Sequence, residues 1–276
     1  MVTIDLTHLA KLLGTVSLEG IRAKLDRADE SIHNLNLEIS SFLRDNYRIG
    51  RHFDAQSRKY VFSAFGESEV PPRFSVLIGE VLYNLRSALD HLVTQLARIG
   101  PGGGKDNVLE FPICRTSESF KRSCERGKIH GVSPDAAKVI ENLQPYRTSS
   151  PVETSTLLIL HDLNRADKHR LLVVVVTAVL MADALVFTKS NTDFNVIGMS
   201  QPTPTGTRPT KDGTEIFSVL FGDRFDPNME MDGTFSFQVT FDQDGPLKHG
   251  PVVEVITTMR QAVLLTIQGF FPGFSV

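Results

Sequence analysis

The spacing of apolar positions predicts that regular structure opens with a long helix. Ser17 suits an N-cap, and from Leu18 to about Arg44 the residues Ile21, Leu25, Ala28, Ile32, Leu35, Ile39 and Phe42 recur at steps of three and four. A polar stretch around Gly50-Arg51-His52 follows. The run Lys59–Phe65, rich in aromatic and β-branched residues, then predicts a strand that pairs as a hairpin with residues 47–53. Pro71-Pro72 opens a second helix, because proline is tolerated where first-turn amides lack internal partners. Its stripe is Phe74, Leu77, Ile78, Val81, Leu82, Leu85, Leu89, Leu92 and Leu96, and Gly100-Pro101-Gly102-Gly103-Gly104 ends it. Two long helices in succession predict an antiparallel pair at the heart of a bundle.

Shorter pieces come next. Phe111-Pro112-Ile113 reads as extended and 117–126 as helical. Ser133-Pro134-Asp135 starts a helix that runs to about Leu143 and stops before Pro145, and another spans about Glu153 to Arg165. Past Arg170 the character turns to β, with strands expected at 171–181, 184–189, 193–198, 214–221 and 234–241. The segment from Gly198 to Gly213, rich in Pro, Thr and Gly, reads as a hairpin loop or an extended arm. The longest apolar run, Leu171 to Ala182, is too short to cross the ~30 Å hydrocarbon core as a helix. Its valines predict a strand buried on both faces. Helical period returns from Val252 to Phe270. The class is therefore α+β: a helical bundle over 1–170, an antiparallel β region over 171–250, and a closing helix over 251–276 that packs back on the core.

Composition narrows the function classes. The 276 residues, 41% hydrophobic and 22% charged, are ordinary for a globular chain. A net charge of −3 excludes a broad basic surface for nucleic acid and leaves only local contacts. Cys114 and Cys124 form neither a disulfide framework nor a zinc pattern, so they read as thiols in a reducing compartment. The N-terminus lacks the pattern of a signal peptide, and the expectation is a cytoplasmic protein that does not engage a membrane. Phosphate-loop, nucleophile-elbow and dinucleotide-binding patterns are absent from the sequence.

The chemistry concentrates on the second helix. Arg86 and His91 lie about 140° apart around its axis, at the two edges of a polar face. Arg86 and Asp90 are four apart and can pair across one turn, and Glu80, Asn84, Ser87 and His91 form a second polar stripe. A solvated helix face accounts for this pattern equally well. A second cluster, His161-Asp162-Leu163-Asn164-Arg165-Ala166-Asp167-Lys168-His169-Arg170, ends a predicted helix, where cations complement the macrodipole. If Lys168, His169 and Arg170 reach the same cleft as Arg86 and His91, the cleft suits a phosphate or another anion. Five cations between Arg115 and Lys128 extend a basic track. His91, His161, Asp162, Asp167 and His169 are alternative metal ligands of a bundle hydrolase.

Arg86-Ser87-Ala88-Leu89-Asp90-His91 resembles the arginine–x4–6–histidine signature of HEPN domains, helical bundles that are commonly metal-independent ribonucleases. The wider pattern of Asn84 to Leu92, Leu143-Gln144-Pro145-Tyr146 and Asp167-Lys168-His169-Arg170 is similar to a bacterial family without an assigned activity. The resemblance implies a homodimer in which Arg86 stabilises phosphorane-like charge and His91 moves a proton, with no cofactor. Ser87 departs from that signature, which often has Asn, Asp or His there. Asn84, Asp90, Lys168, His169 and Arg170 are then the expected ligand-binding residues, with RNA or a nucleotide as ligand. The alternatives are a non-catalytic module that binds a small anion or a protein partner, and a metal-dependent hydrolase.

Overall fold

Two 28-residue helices, α1 (Glu19–Asn46) and α2 (Pro72–Ile99), are the longest elements of the computed structural model. The structure describes residues 16–66, 69–101, 109–189, 194–200, 212–225, 230–242 and 245–276. After α2 come α3 (Ser117–Glu125), α4 (Pro134–Asn142), α5 (Pro145–Thr148) and α6 (Thr156–Asp167). The strands are β1 (Arg48–Asp54), β2 (Lys59–Phe65), β3 (Val174–Lys189), β4 (Val196–Ser200), β5 (Thr214–Phe221) and β6 (Glu230–Phe241), and α7 (Val252–Gln268) closes the chain. The class is α+β.

The chain divides into two compact units. One takes the residues up to His33, Val76–Leu171 and Val255–Val276; the other takes Asn34–Ser75 and Leu172–Glu254. In the helical unit, Ile21, Leu25 and Ala28 of α1, Ile78 to Leu92 on the stripe of α2, and Ile256, Met259 and Val263 of α7 are buried. Removing each such aliphatic side chain from water stabilises the fold by roughly 1.5–3 kcal/mol. The antiparallel sense of α1 and α2 follows from their polar contacts. Gly20 faces His91, Lys24 bonds Asn84, and Arg27 and Ser31 reach Glu80. Arg260 of α7 makes a two-point ion pair with Asp29 of α1 at 2.7 and 2.8 Å.

In the other unit, β1-β2-β5-β4 form one antiparallel sheet and β3-β6 a two-stranded one. Every residue from Tyr60 through Ala64 is buried, and Phe62 packs its ring against Phe217 and Phe235. The hairpin β1–β2 is as the sequence predicts, but it joins the sheet of β5 and not the bundle, so residues 1–170 are not a purely helical unit. Backbone pairing decides this: β2 is central, and the edge it turns away from β1 needs a partner.

Three further expectations change. The strands expected at 171–181 and 184–189 are one strand, β3, whose register against β6 shifts between Leu180 and Leu185, so the chain passes Asp183 without leaving the strand. Leu171 and Val173 are exposed, so the apolar run is not buried on both faces from its start. Gly198, expected to open the long insertion, lies inside β4 opposite Leu220, and residues 201–211 of that insertion are outside the described residues.

The extended segment 109–114 has no strand partner among the described residues; the Glu110 amide donates to the Lys128 carbonyl at 2.9 Å, and side chains hold the rest. Gln144, fully buried between α4 and α5, donates to the carbonyls of Pro112 (2.8 Å) and Ile140 (3.0 Å) and accepts from the Cys114 amide (2.9 Å). A Gln144→Leu substitution leaves these groups buried without partners. It is expected to lower stability by about 1–3 kcal/mol or more, read as a fall in the urea midpoint at constant m-value.

Candidate functional site

Arg86 sits on the side of α2 that faces segment 109–114, and its guanidinium is inside the protein. The residue is 5% exposed. Its Nη2 donates to Glu110 Oε1 at 2.8 Å and to the Phe111 carbonyl at 2.6 Å, and lies 3.2 Å from Asp90 Oδ1. Asp90 in turn accepts from the Phe111 amide at 2.8 Å. One turn of helix thus grips both backbone polar groups of Phe111, as a neighbouring strand does in a ladder. Lys128 completes the cluster with a 2.7 Å bond to Glu110.

Burial raises the Asp90 carboxyl, and the opposing pull of Arg86 and the Phe111 amide does not cancel it. Burial also pushes Glu110 upward. There the bonds from Lys128 and Arg86 prevail and hold the carboxyl below its usual range. His161 of α6 belongs to the same neighbourhood: burial, then the charge of Arg86, lowers its imidazole.

His91 points elsewhere. Its ring packs on Gly20 of α1, where a Cβ would come within 2.6 Å of Nδ1. Burial lowers its imidazole, and the charges of Lys24 and Arg98 lower it further. The groups around Arg86 are Asp90, Glu110, Lys128 and His161; those around His91 are Gly20, Lys24 and Arg98. The two ends of the motif share no neighbour in these sets.

Lys168, His169 and Arg170 follow α6 as exposed residues. Part of the basic track is neutralised internally, since Arg115 pairs with Glu153 and Asp162 and Lys128 pairs with Glu110. No group of three His, Cys, Asp or Glu side chains converges to hold a metal ion among the described residues. No helix of the described residues is long and apolar enough to cross a membrane.

What the helical unit does bring together is an open groove of about 530 Å³ lined by Arg27, Val76, Gly79, Glu80, Tyr83, Asn84, Asp167 and Leu171. It joins the expected ligand residue Asn84 to the end of α6. Asn84 is fixed by donating to the Glu80 carbonyl (2.8 Å) and accepting from the Lys24 ammonium (3.2 Å), which also lies 5.0 Å from the centre of the Tyr83 ring. Glu80 is satisfied by Arg27 at 3.0 Å.

Asp167 is not so placed. Its carboxylate lies over Gly79, where a Cβ would stand 2.4 Å from Oδ2. It has no ion-pair partner among the described residues, and burial raises its carboxyl. The apolar lining is unusually open, with Val76 48%, Tyr83 56% and Leu171 53% exposed.

Gly79, Val76 and Tyr83 were not among the residues that sequence reasoning singles out. One signal was available: a glycine inside a strongly amphipathic helix costs about 1 kcal/mol relative to alanine and asks for a reason. Here the reason is the close approach of the Asp167 carboxylate.

Two outcomes follow from the buried groups. Arg86→Met leaves Asp90 without its cation, Glu110 with Lys128 alone and the Phe111 carbonyl without its side-chain donor, and is expected to cost about 3–5 kcal/mol in denaturant unfolding. His91 has a folded pKa below its ordinary 6.5, so the unfolded chain binds its proton first. The stability it contributes is therefore present above about pH 6.5 and is lost as pH falls through the lowered value. A urea midpoint measured from pH 7.5 down to 5.5 should fall more steeply for the parent than for His91→Gln. Comparison with family models, with curated proteins and with solved structures found no match.

Proposed function

We propose that this chain is a non-catalytic binding module whose ligand seat is the groove formed by α1, α2 and the end of α6. The observation that supports this reading over RNA cleavage is the commitment of Arg86. Its guanidinium is buried and engaged by Glu110, Asp90 and the Phe111 carbonyl. A phosphate reaches it only by breaking a buried charge cluster, which costs several kcal/mol. His91, turned toward Gly20 and Lys24, is not placed to share a scissile phosphate with it. The groove has the size of a small-ligand site and combines open apolar walls with a few fixed polar groups.

The ribonuclease reading keeps one observation in its favour. Nη1 of Arg86 has no hydrogen-bond partner among the described residues, so one edge of the guanidinium remains available once the cluster opens. That reading, as the HEPN resemblance implies, also needs the facing helix of a second protomer. The two separate in one assay. Labelled total RNA incubated in EDTA is expected to stay intact with the parent protein. Cleavage that His91→Gln abolishes, with its melting curve unchanged at pH 7.5, replaces the binding reading with the nuclease one.

The binding reading itself is tested by melting the protein with a panel of amino acids, nucleotides, dicarboxylates and amines. At least one compound is expected to raise Tm in a concentration-dependent way that Tyr83→Ala removes. Tyr83 is exposed enough for that change to leave the fold in place.

A further inference from the structure

The Asp167 carboxylate is a charge of the groove left without an ion pair among the described residues. It is the last residue of α6, where the helix dipole presents its negative end and disfavours an anion. It is half-buried, lies against the backbone of Gly79, and has no cation bonded to it among the described residues. Glu80, the other carboxylate of the groove, is already occupied by Arg27 and Ser31. Arg27 is shared between Glu80 and Glu30, so the lining offers no uncommitted cation for an anionic ligand.

The same walls already hold one alkylammonium. The Lys24 chain places its nitrogen 5.0 Å from the centre of the Tyr83 ring and 3.2 Å from Asn84 Oδ1, using an aromatic face and an amide oxygen together. Val76 and Leu171 leave apolar surface open beside Asp167, enough to cover a short methylene chain. A charged amine on such a chain answers each feature: the nitrogen meets the lone carboxylate, and the methylenes cover the exposed apolar side chains.

We propose that the groove binds a small alkylammonium ligand, with its nitrogen on the Asp167 carboxylate and its chain across Val76, Tyr83 and Leu171. This rests on the binding-module reading and names its ligand class. Desolvation of Asp167, seen in its raised carboxyl pKa, agrees with a site kept ready for a cation. The carboxylate then serves the ligand at the expense of the free protein, the usual direction of compromise between stability and function.

The test uses three five-carbon compounds with cationic, neutral and anionic ends: cadaverine, 1,5-pentanediol and glutarate. Each is titrated into the full chain at pH 7.5 by calorimetry and by thermal melting. Cadaverine is expected to bind saturably and raise Tm, while the diol and the diacid do neither. Asp167→Asn is expected to weaken cadaverine at least about tenfold while the free variant melts no lower than the parent, since an unpaired, desolvated charge has been removed. Gly79→Ala keeps the charge but displaces the carboxylate, and it is expected to weaken cadaverine as well.

Nα-acetyl-lysine methylamide distinguishes the source of the ammonium. Binding tighter than cadaverine and equally dependent on Asp167 supports a lysine side chain as the natural occupant, and weaker binding supports a free amine. Cadaverine binding that Asp167→Asn leaves unchanged overturns the proposal. So does saturable binding of glutarate without cadaverine, with the binding-module reading left standing. If no compound of the wider panel shifts Tm through Tyr83, the binding-module reading itself fails.

Discussion

The charge cluster centred on Arg86 is the constraint on which the site-bearing part of the helical unit depends. Segment 109–114 has polar backbone groups to satisfy and no strand beside it among the described residues. Arg86 and Asp90, one helical turn apart on α2, hold the carbonyl and the amide of Phe111, while Gln144 holds Pro112 and Cys114. Glu110 accepts from both the guanidinium and Lys128, so the charges of the cluster depend on one another. The Phe111 side chain is driven into the core with no exposure at all. Hydrogen bonding and hydrophobic burial therefore act on the same few residues.

That arrangement separates the closed charge cluster from the open groove on one helix. The side of α2 that carries Arg86 and Asp90 is closed and internally neutralised. Its groove-lining residues Val76, Gly79, Tyr83 and Asn84 face a different set of partners and leave apolar surface and one carboxylate unsatisfied. Buried, mutually satisfied charges resist a ligand because each one displaced exposes another. Asp167 has the opposite character: it lacks an internal cation among the described residues. Gly20 beside His91 and Gly79 beside Asp167 are two helical glycines whose missing Cβ admits a titratable side chain.

Much of the fold was legible in the chain. The stripes of α1 and α2, the stop at Gly100, the hairpin at 48–65, the strand at 214–221 and the closing helix all follow from short-range periodicity and turn chemistry, which act within a few residues. The candidate site was legible only in part. Asn84 and the 161–170 cluster were singled out, and Asn84 and one member of the cluster, Asp167, line the groove. The role of Arg86 was not, because Glu110 and Phe111 lie 24 and 25 residues away in the chain and no local pattern reports that contact. The joining of 171–181 and 184–189 into one strand is of the same kind, since only the pairing with β6 carries the chain past Asp183.

The sequence by itself determined the α+β class, the amphipathic faces of the long helices and which residues carry charge on α2. Those properties depend on side-chain chemistry repeating at 3.6 or 2 residues along a local backbone. The tertiary structure decided which of those charges are buried as internal partners and which are left open. Desolvation and ion pairing depend on groups brought together from distant parts of the chain. Hence Arg86, the most conspicuous cation in the sequence, is spent on holding segment 109–114, while Asp167, an acid in a mostly basic run, is the charge left facing the groove.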